Sequence, residues 1–181
     1  MNPLKIIEKF YKKDSNSYYY LVEHSKSVAK KALEVANKVP HLNPDLKFIE
    51  EAALLHDIGV FLTYAPKIEC FGDRHYVEHG FLGAQILEKE GYPRHALVCE
   101  NHVGVGLTIE DIRKLELQIP LRNMEPKTIE EEIICFADKF FSKKDKYLNT
   151  EKSIPKIIKG LSKFGESKVV IFEKWIDKFG Y

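Results

Sequence analysis

An apolar helical run, Ala52-Ala53-Leu54-Leu55, ends in His56 and Asp57, two strong metal ligands side by side, followed by Ile58-Gly59. Ile49, Ala52, Ala53 and His56 recur at three- and four-residue spacing, so His56 projects from the inward-packing face and Asp57 lies about 100° round the same turn. An imidazole and a carboxylate are thus delivered together to a buried point. An ionised Asp placed there needs a cation or a set of hydrogen bonds. Gly59 fits the left-handed stop of a helix C-terminus, which would fix where the pair is aimed. Adjacent His and Asp also occur as a capped helix end, so the remaining polar residues on apolar faces decide between the two readings.

There are four more. His24 replaces a hydrophobe in the stripe Leu21, His24, Val28, Ala32, Val35, Val39; alone, it reads as a core histidine satisfied by a carbonyl. His79 shares a face with Leu82, Gly83 and Ile86 in the first turn of its helix, where the dipole favours the neutral imidazole, and Gly83 would admit a neighbouring backbone. His102 closes a helix just before Val103-Gly104-Val105-Gly106. Asp138 lies with Ile134 and Phe141 on the most apolar helix, and because adjacent helical residues do not face each other its expected partner is a cation across the core rather than Lys139. His95 and His41 are expected at the surface.

Imidazole and carboxylate without thiolate suit Fe, Mn, Ni, Co or Zn, with Mg also admissible, and argue against a Cys-type structural zinc. Six ligands exceed what one catalytic ion needs. Two ions bridged by Asp57 is the natural division, with His24, His56 and Asp138 on one and His79 and His102 on the other.

The elements that must position these residues are helices. Leu4 to Tyr11 reads as a short one, and Asp14-Ser15-Asn16-Ser17 as the turn that caps a longer one ending near Val39. Asn43 and Pro44 suit the N-cap and first position of the helix carrying His56. Val60 to Arg74 has no period and is expected to pack over a site. Helices follow from about Val77 to Glu90 and from Pro93. Thr128-Ile129-Glu130-Glu131 is a capping box, and two amphipathic helices divided near Phe164-Gly165 complete the chain. No convincing strand alternation occurs. The expectation is an all-α bundle, one domain over residues 1–181, with Trp175 in the C-terminal helices as the candidate contact of a homodimer.

The 181 residues carry 28 Lys+Arg against 27 Asp+Glu, a net charge of +1, so nothing global points to a nucleic-acid polymer or an anionic membrane. The three cysteines have no Cys-x-x-Cys spacing and indicate neither a disulfide framework nor a thiolate site. With no signal-peptide plan and no membrane-spanning run, a cytoplasmic location is expected.

The order His24, then His56-Asp57, then Asp138 resembles the HD-domain superfamily of metal-dependent phosphohydrolases, and Leu55-His56-Asp57-Ile58-Gly59 is similar to its HDIG form. With His79-Gly80, Gly83-Ala84 and Asn101-His102-Val103-Gly104 the pattern resembles small, mainly archaeal HDIG proteins; it covers roughly residues 18–145 and leaves about 152–181 as a helical extension. The resemblance implies an HD-type helical bundle in which His24, His56, Asp57 and Asp138 hold a first metal, and His79 and His102 help hold a second. It further implies a phosphohydrolase in which metal-activated water attacks the phosphate ester of a nucleotide or small phosphorylated metabolite, with Asp57 as the catalytic carboxylate. Arg74 and Lys139 are the cations assigned to substrate phosphate. Val60 stands where many HDIG proteins have Lys, and Val60-Phe61-Leu62 supplies no acidic general base. Two alternatives use the same fold: a mixed-valence di-iron oxygenase, and a non-catalytic module binding a nucleotide or a partner protein.

Overall fold

In the computed structural model, which describes residues 1–143 and 145–181, Asn2 accepts the Lys5 amide at 3.2 Å and opens α1 (Pro3–Ile7). This helix is shorter than its sequence pattern; the chain turns after it so that the Tyr11 hydroxyl can donate to Ile58 O and accept from the Phe61 amide, both at 3.0 Å. Ser15 caps α2 (Asn16–Lys38) by accepting the Tyr18 amide, and the expected stripe of Leu21, His24, Val28, Ala32 and Val35 is buried. α3 (Leu46–Leu55) begins two residues later than expected. Asp45, not Asn43, accepts the first-turn amide of Phe48, while Asn43 adopts a left-handed φ of 51° and ends a 3-10 turn.

Beyond α3 the chain runs through a 3-10 segment, Ile58–Leu62, and makes a two-stranded antiparallel hairpin, β1 (Tyr64–Ala65) and β2 (Cys70–Phe71), in register Tyr64 with Phe71 and Ala65 with Cys70. Two-residue strands are too short to display an alternation, which is why no strand was legible there. α4 (His79–Lys89) and α5 (Pro93–Asn101) follow, His79 opening the first and His102 closing the second. α6 (Ile109–Lys114) carries a full capping box between Thr108 and Asp111. At α7 (Ile129–Lys139) Thr128 accepts the Glu131 amide as expected, but the Glu131 carboxylate turns instead to the Lys127 amide and to Asn101 Nδ2. α8 (Asp145–Leu148), α9 (Ile154–Leu161) and α10 (Glu166–Phe179) complete the all-α chain, with Gly165 at φ 125° dividing the last two.

α2, α3 and α7 pack around one apolar cluster that also takes in α9 and α10, where Phe136 stacks on Phe172 at 5.1 Å and meets Phe179 at 5.2 Å. Trp175 belongs to this core at 5% exposure, so it is not available for the subunit contact assigned to it from sequence. The last helix buries that face within its own chain. A second cluster joins α1, the start of α2, the end of α3, α4 and α5. None of the helices among the described residues is long and apolar enough to cross a membrane.

Candidate metal centre

Gly59 determines how closely α3's end and α4 approach. It has no left-handed φ; instead, a Cβ there would stand 2.3 Å from the His79 carbonyl oxygen and 2.4 Å from Gly83 N. The expected helix stop is therefore a close approach, and it brings Asp57 up against His79. Gly83 serves the same packing from the other side, its own Cβ position lying 3.0 Å from Gly59 N and 2.4 Å from the Cys99 sulfur.

The six sequence-selected residues meet. Oδ2 of Asp57 lies 3.1 Å from His24 Nε2 and 3.0 Å from His56 Nε2. Oδ1 lies 3.0 Å from His79 Nε2 and 3.5 Å from His102 Nε2. Asp138 Oδ1 is 3.0 Å from His24 Nε2 and 3.6 Å from His56 Nε2. Two donor groups result, His24, His56, Asp57 and Asp138 in one and Asp57, His79 and His102 in the other, each with its ligand atoms within 4.8 Å of one another.

Three of the four histidines are oriented by backbone. Nδ1 of His56, His79 and His102 faces the carbonyl three residues earlier, Ala53 at 2.7 Å, Tyr76 at 2.6 Å and Cys99 at 2.7 Å. A carbonyl can only accept, so Nδ1 carries the proton and Nε2 is turned inward, the tautomer a metal requires. The consequence is an excess of lone pairs: His79 and His102 bring Nε2 within 3.1 Å of each other, and, although the Lys143 ammonium pairs with Oδ2 of Asp57, His56 Nε2 and Asp57 Oδ1 are buried without a hydrogen-bond partner among the described residues. Such a cluster demands positive charge at its centre. Burial opposes charge on His56, but Asp57 and Asp138 outweigh it and raise its pKa to about 9, whereas burial and the neighbouring His56 and His79 lower His102 to about 4. Burial likewise opposes ionisation of Asp57, yet His56 and Lys143 hold its carboxyl well below the usual range. A proton on His56 answers the demand at one position. Divalent cations fit it at all of them, and the oxygen and nitrogen donor set suits a divalent transition ion.

A cavity of about 200 Å³ opens on this cluster, lined also by Tyr76, Lys139 and Lys143. Lys143 was not selected from sequence. It lies past the end of α7 among other lysines, a setting that reads as solvated surface, yet its ammonium pairs with Asp57 Oδ2 and donates to the Tyr76 hydroxyl at 3.2 Å. Tyr76 sits three residues before His79, with the two ring centroids 4.9 Å apart; that spacing was the available signal. Lys139 does pair with its neighbour Asp138, at 2.8 Å, against the expectation from helical geometry, because both side chains turn along the last turn toward the cavity. Arg74 is not brought to the site. Its guanidinium is held by Glu78 and Gln118 O, each at 2.6 Å, and Glu78 is buried, so the charge is committed to a structural network. His41 is exposed as expected, but His95 is packed between Phe48 and Tyr92 rather than displayed at the surface.

The family model for the HD domain matches residues 21–142, a span that contains all six ligand candidates. The chain belongs to the HD-domain family. It is 37% identical over 124 residues to a tRNA (cytidine(56)-2'-O)-methyltransferase of Thermoplasma volcanium, a match covering 68% of this chain and 32% of that protein. An uncharacterized protein of Methanocaldococcus jannaschii is 35% identical over 121 residues, covering 65% of this chain and 64% of the relative. A tRNA (cytidine(56)-2'-O)-methyltransferase of Picrophilus torridus is 32% identical over 145 residues, covering 80% of this chain and 38% of that protein. The HD chain thus spans about a third of the methyltransferases and somewhat under two thirds of the Methanocaldococcus relative. In fold it is similar to the HD domain of the phosphodiesterase PgpH from L. monocytogenes, with a TM-score of 0.58 at 19% identity, covering 96% of this chain and 86% of the other.

Proposed function

We propose that this HD domain is a metal-dependent phosphohydrolase acting on a phosphate ester of a nucleotide or small phosphorylated metabolite. The observation that carries the reading is the division of Asp57, one carboxylate oxygen toward His24 and His56 and the other toward His79 and His102. In this proposal His24, His56, Asp57 and Asp138 hold one ion, His79 and His102 share Asp57 around a second, and Asp57 is the catalytic carboxylate between them. Bound divalent ions supply Lewis acidity, lowering the pKa of water and neutralising charge on a phosphoryl oxygen.

The protein's own contribution is placement and charge. Nδ1 donation to backbone fixes the imidazoles of His56, His79 and His102 with Nε2 turned inward, ready for an ion. Lys139 and Lys143 bring ammonium groups to the cavity, where they complement the anionic ester. In the overall reaction a bond forms between a water oxygen and phosphorus, the bond from phosphorus to the leaving alcohol breaks, and the alcohol oxygen takes up a proton. Two relatives are named for tRNA, which adds an RNA phosphate to the substrates worth testing.

Elemental analysis of protein purified without added metal, followed by a phosphatase and phosphodiesterase screen with Mn, Ni, Co, Fe and Mg that includes tRNA, tests the proposal. About two ions per chain and turnover of a phosphate ester support it. Bound iron that consumes dioxygen, with no ester hydrolysed, would assign the centre to the oxygenase alternative. Absence of any bound metal and of any turnover would leave only a binding module.

A further inference from the structure

Tyr76, Ser142 and Lys143 line the metal cavity and also a second groove of about 390 Å³, whose far wall is the β1–β2 hairpin at Tyr64, Pro66 and Ile68. The two spaces share those three side chains, and each offers different chemistry. At the inner end Lys139 and Lys143 present ammonium groups. At the junction the Ser142 hydroxyl is buried yet has no hydrogen-bond partner among the described residues. At the outer end Tyr64 is 65% exposed and Tyr76 38% exposed, two aromatic rings displayed to solvent on a wall completed by Ala65, Pro66, Lys67 and Ile68.

Single exposed aromatic residues need no explanation. Here two of them flank a groove that begins where a buried hydroxyl stands idle and where the metal cavity, with its Lys139 and Lys143 ammonium groups beside the ligand cluster, ends. An occupant satisfying all three is anionic at one end, carries a hydroxyl in the middle and ends in a flat apolar body. Resting on the phosphohydrolase reading, we propose that the substrate is a mononucleoside phosphate, its phosphate in the metal cavity, a ribose hydroxyl on Ser142 Oγ and its base on the hairpin wall at Tyr64 and Tyr76. Base stacking on aromatic side chains tolerates any base, so the groove selects for a nucleoside over a plain sugar without selecting one nucleobase strongly. A long polymer is not called for, because the cavity and groove together accommodate a single nucleotide and the net charge of the chain is only +1.

The test is calorimetric titration of cold, manganese-loaded protein with AMP, ribose 5-phosphate and adenosine. AMP is expected to bind about tenfold more tightly than ribose 5-phosphate, the contribution of one stacked base, and more tightly than adenosine. Tyr64→Ala, at an exposed position that should not disturb folding, is expected to bring the ratio of AMP to ribose 5-phosphate affinity close to one, while Phe164→Ala, an equally exposed aromatic residue in the C-terminal region, should leave the ratio as it is. Ser142→Ala should weaken both phosphates several-fold. Equal affinity for AMP and ribose 5-phosphate in the unaltered protein, or a ratio indifferent to Tyr64→Ala, would overturn the groove assignment while leaving the hydrolase reading standing. Adenosine binding as tightly as AMP would overturn both. A single-stranded RNA without terminal phosphates binding more tightly than AMP would overturn the mononucleotide and give the face to RNA.

Discussion

Nε2 of His79 lies 3.0 Å from Oδ1 of Asp57, the carboxylate oxygen that His56 does not face. This places His79 with the second donor group and separates its expected effects from those of His56. His79→Ala should reduce bound metal from about two ions per chain to about one and lower turnover roughly a hundredfold or more, since a bridged pair acts as a unit. Elemental analysis beside steady-state kinetics reads both numbers. Full metal content with unchanged turnover would remove His79 from the centre.

Gly59→Ala tests the close approach that seats Asp57 against α4. The new methyl would meet backbone at 2.3 Å and 2.4 Å, where no flexible side chain can yield. Overpacking of this kind costs about 1–3 kcal/mol. Urea denaturation should show a lower midpoint with an unchanged slope, and metal affinity should fall with it because His79 is displaced. An unaltered midpoint would mean that the segment is not held as described.

Arg74 and Lys143 should part company on substitution. Arg74→Ala leaves the buried Glu78 carboxylate without its guanidinium and is expected to cost roughly 2–3 kcal/mol of stability with KM unchanged. Lys143→Ala removes an ammonium from the cavity and is expected to raise KM about tenfold with metal content retained. Chemical denaturation and a KM-against-kcat comparison of the two variants read the contrast; a KM effect for Arg74 would return it to the substrate site.

Lys168 of α10 reaches across to Gly106 O at 2.8 Å and Asp111 at 2.6 Å, tying the C-terminal helix to the loop after His102. Burial raises the Asp111 pKa, but Lys168 and the Thr108 contacts outweigh it, so the folded value lies below 3.8. A depressed carboxyl pKa stabilises above its unfolded value and is lost as pH falls through the folded one. Lys168→Met should therefore be less stable than the unaltered chain at neutral pH, and the difference should shrink below pH 3.8. Denaturation midpoints for the pair across that range check it; a gap that is constant with pH would assign the loss to packing alone.

The helices and the ligand candidates were legible in the sequence because each inward polar residue interrupts an apolar stripe, as His24 does between Leu21 and Val28. Periodicity, however, reports which face a residue takes and not how near two elements come. Gly59 shows the limit: its type announced a special backbone role, but whether that role was a left-handed turn or a close contact depended on Gly83, which only packing places beside it. The placement of Lys143 and of Arg74 was hidden for the same reason. Arg74 stands alone in sequence and Lys143 lies among other lysines, and only the fold turns one toward Glu78 and the other toward Asp57. The hairpin that faces the groove was too short to leave any pattern.

The central claim is that Asp57 stands between two ions. Crystals grown with manganese and measured at an energy where it scatters anomalously give the most direct reading. Two anomalous peaks are expected, one among His24, His56 and Asp138 and the other beside His79 and His102, with the Asp57 carboxylate between them. A single peak on the His24 side, with His79 and His102 bonded only to protein, would contradict the account.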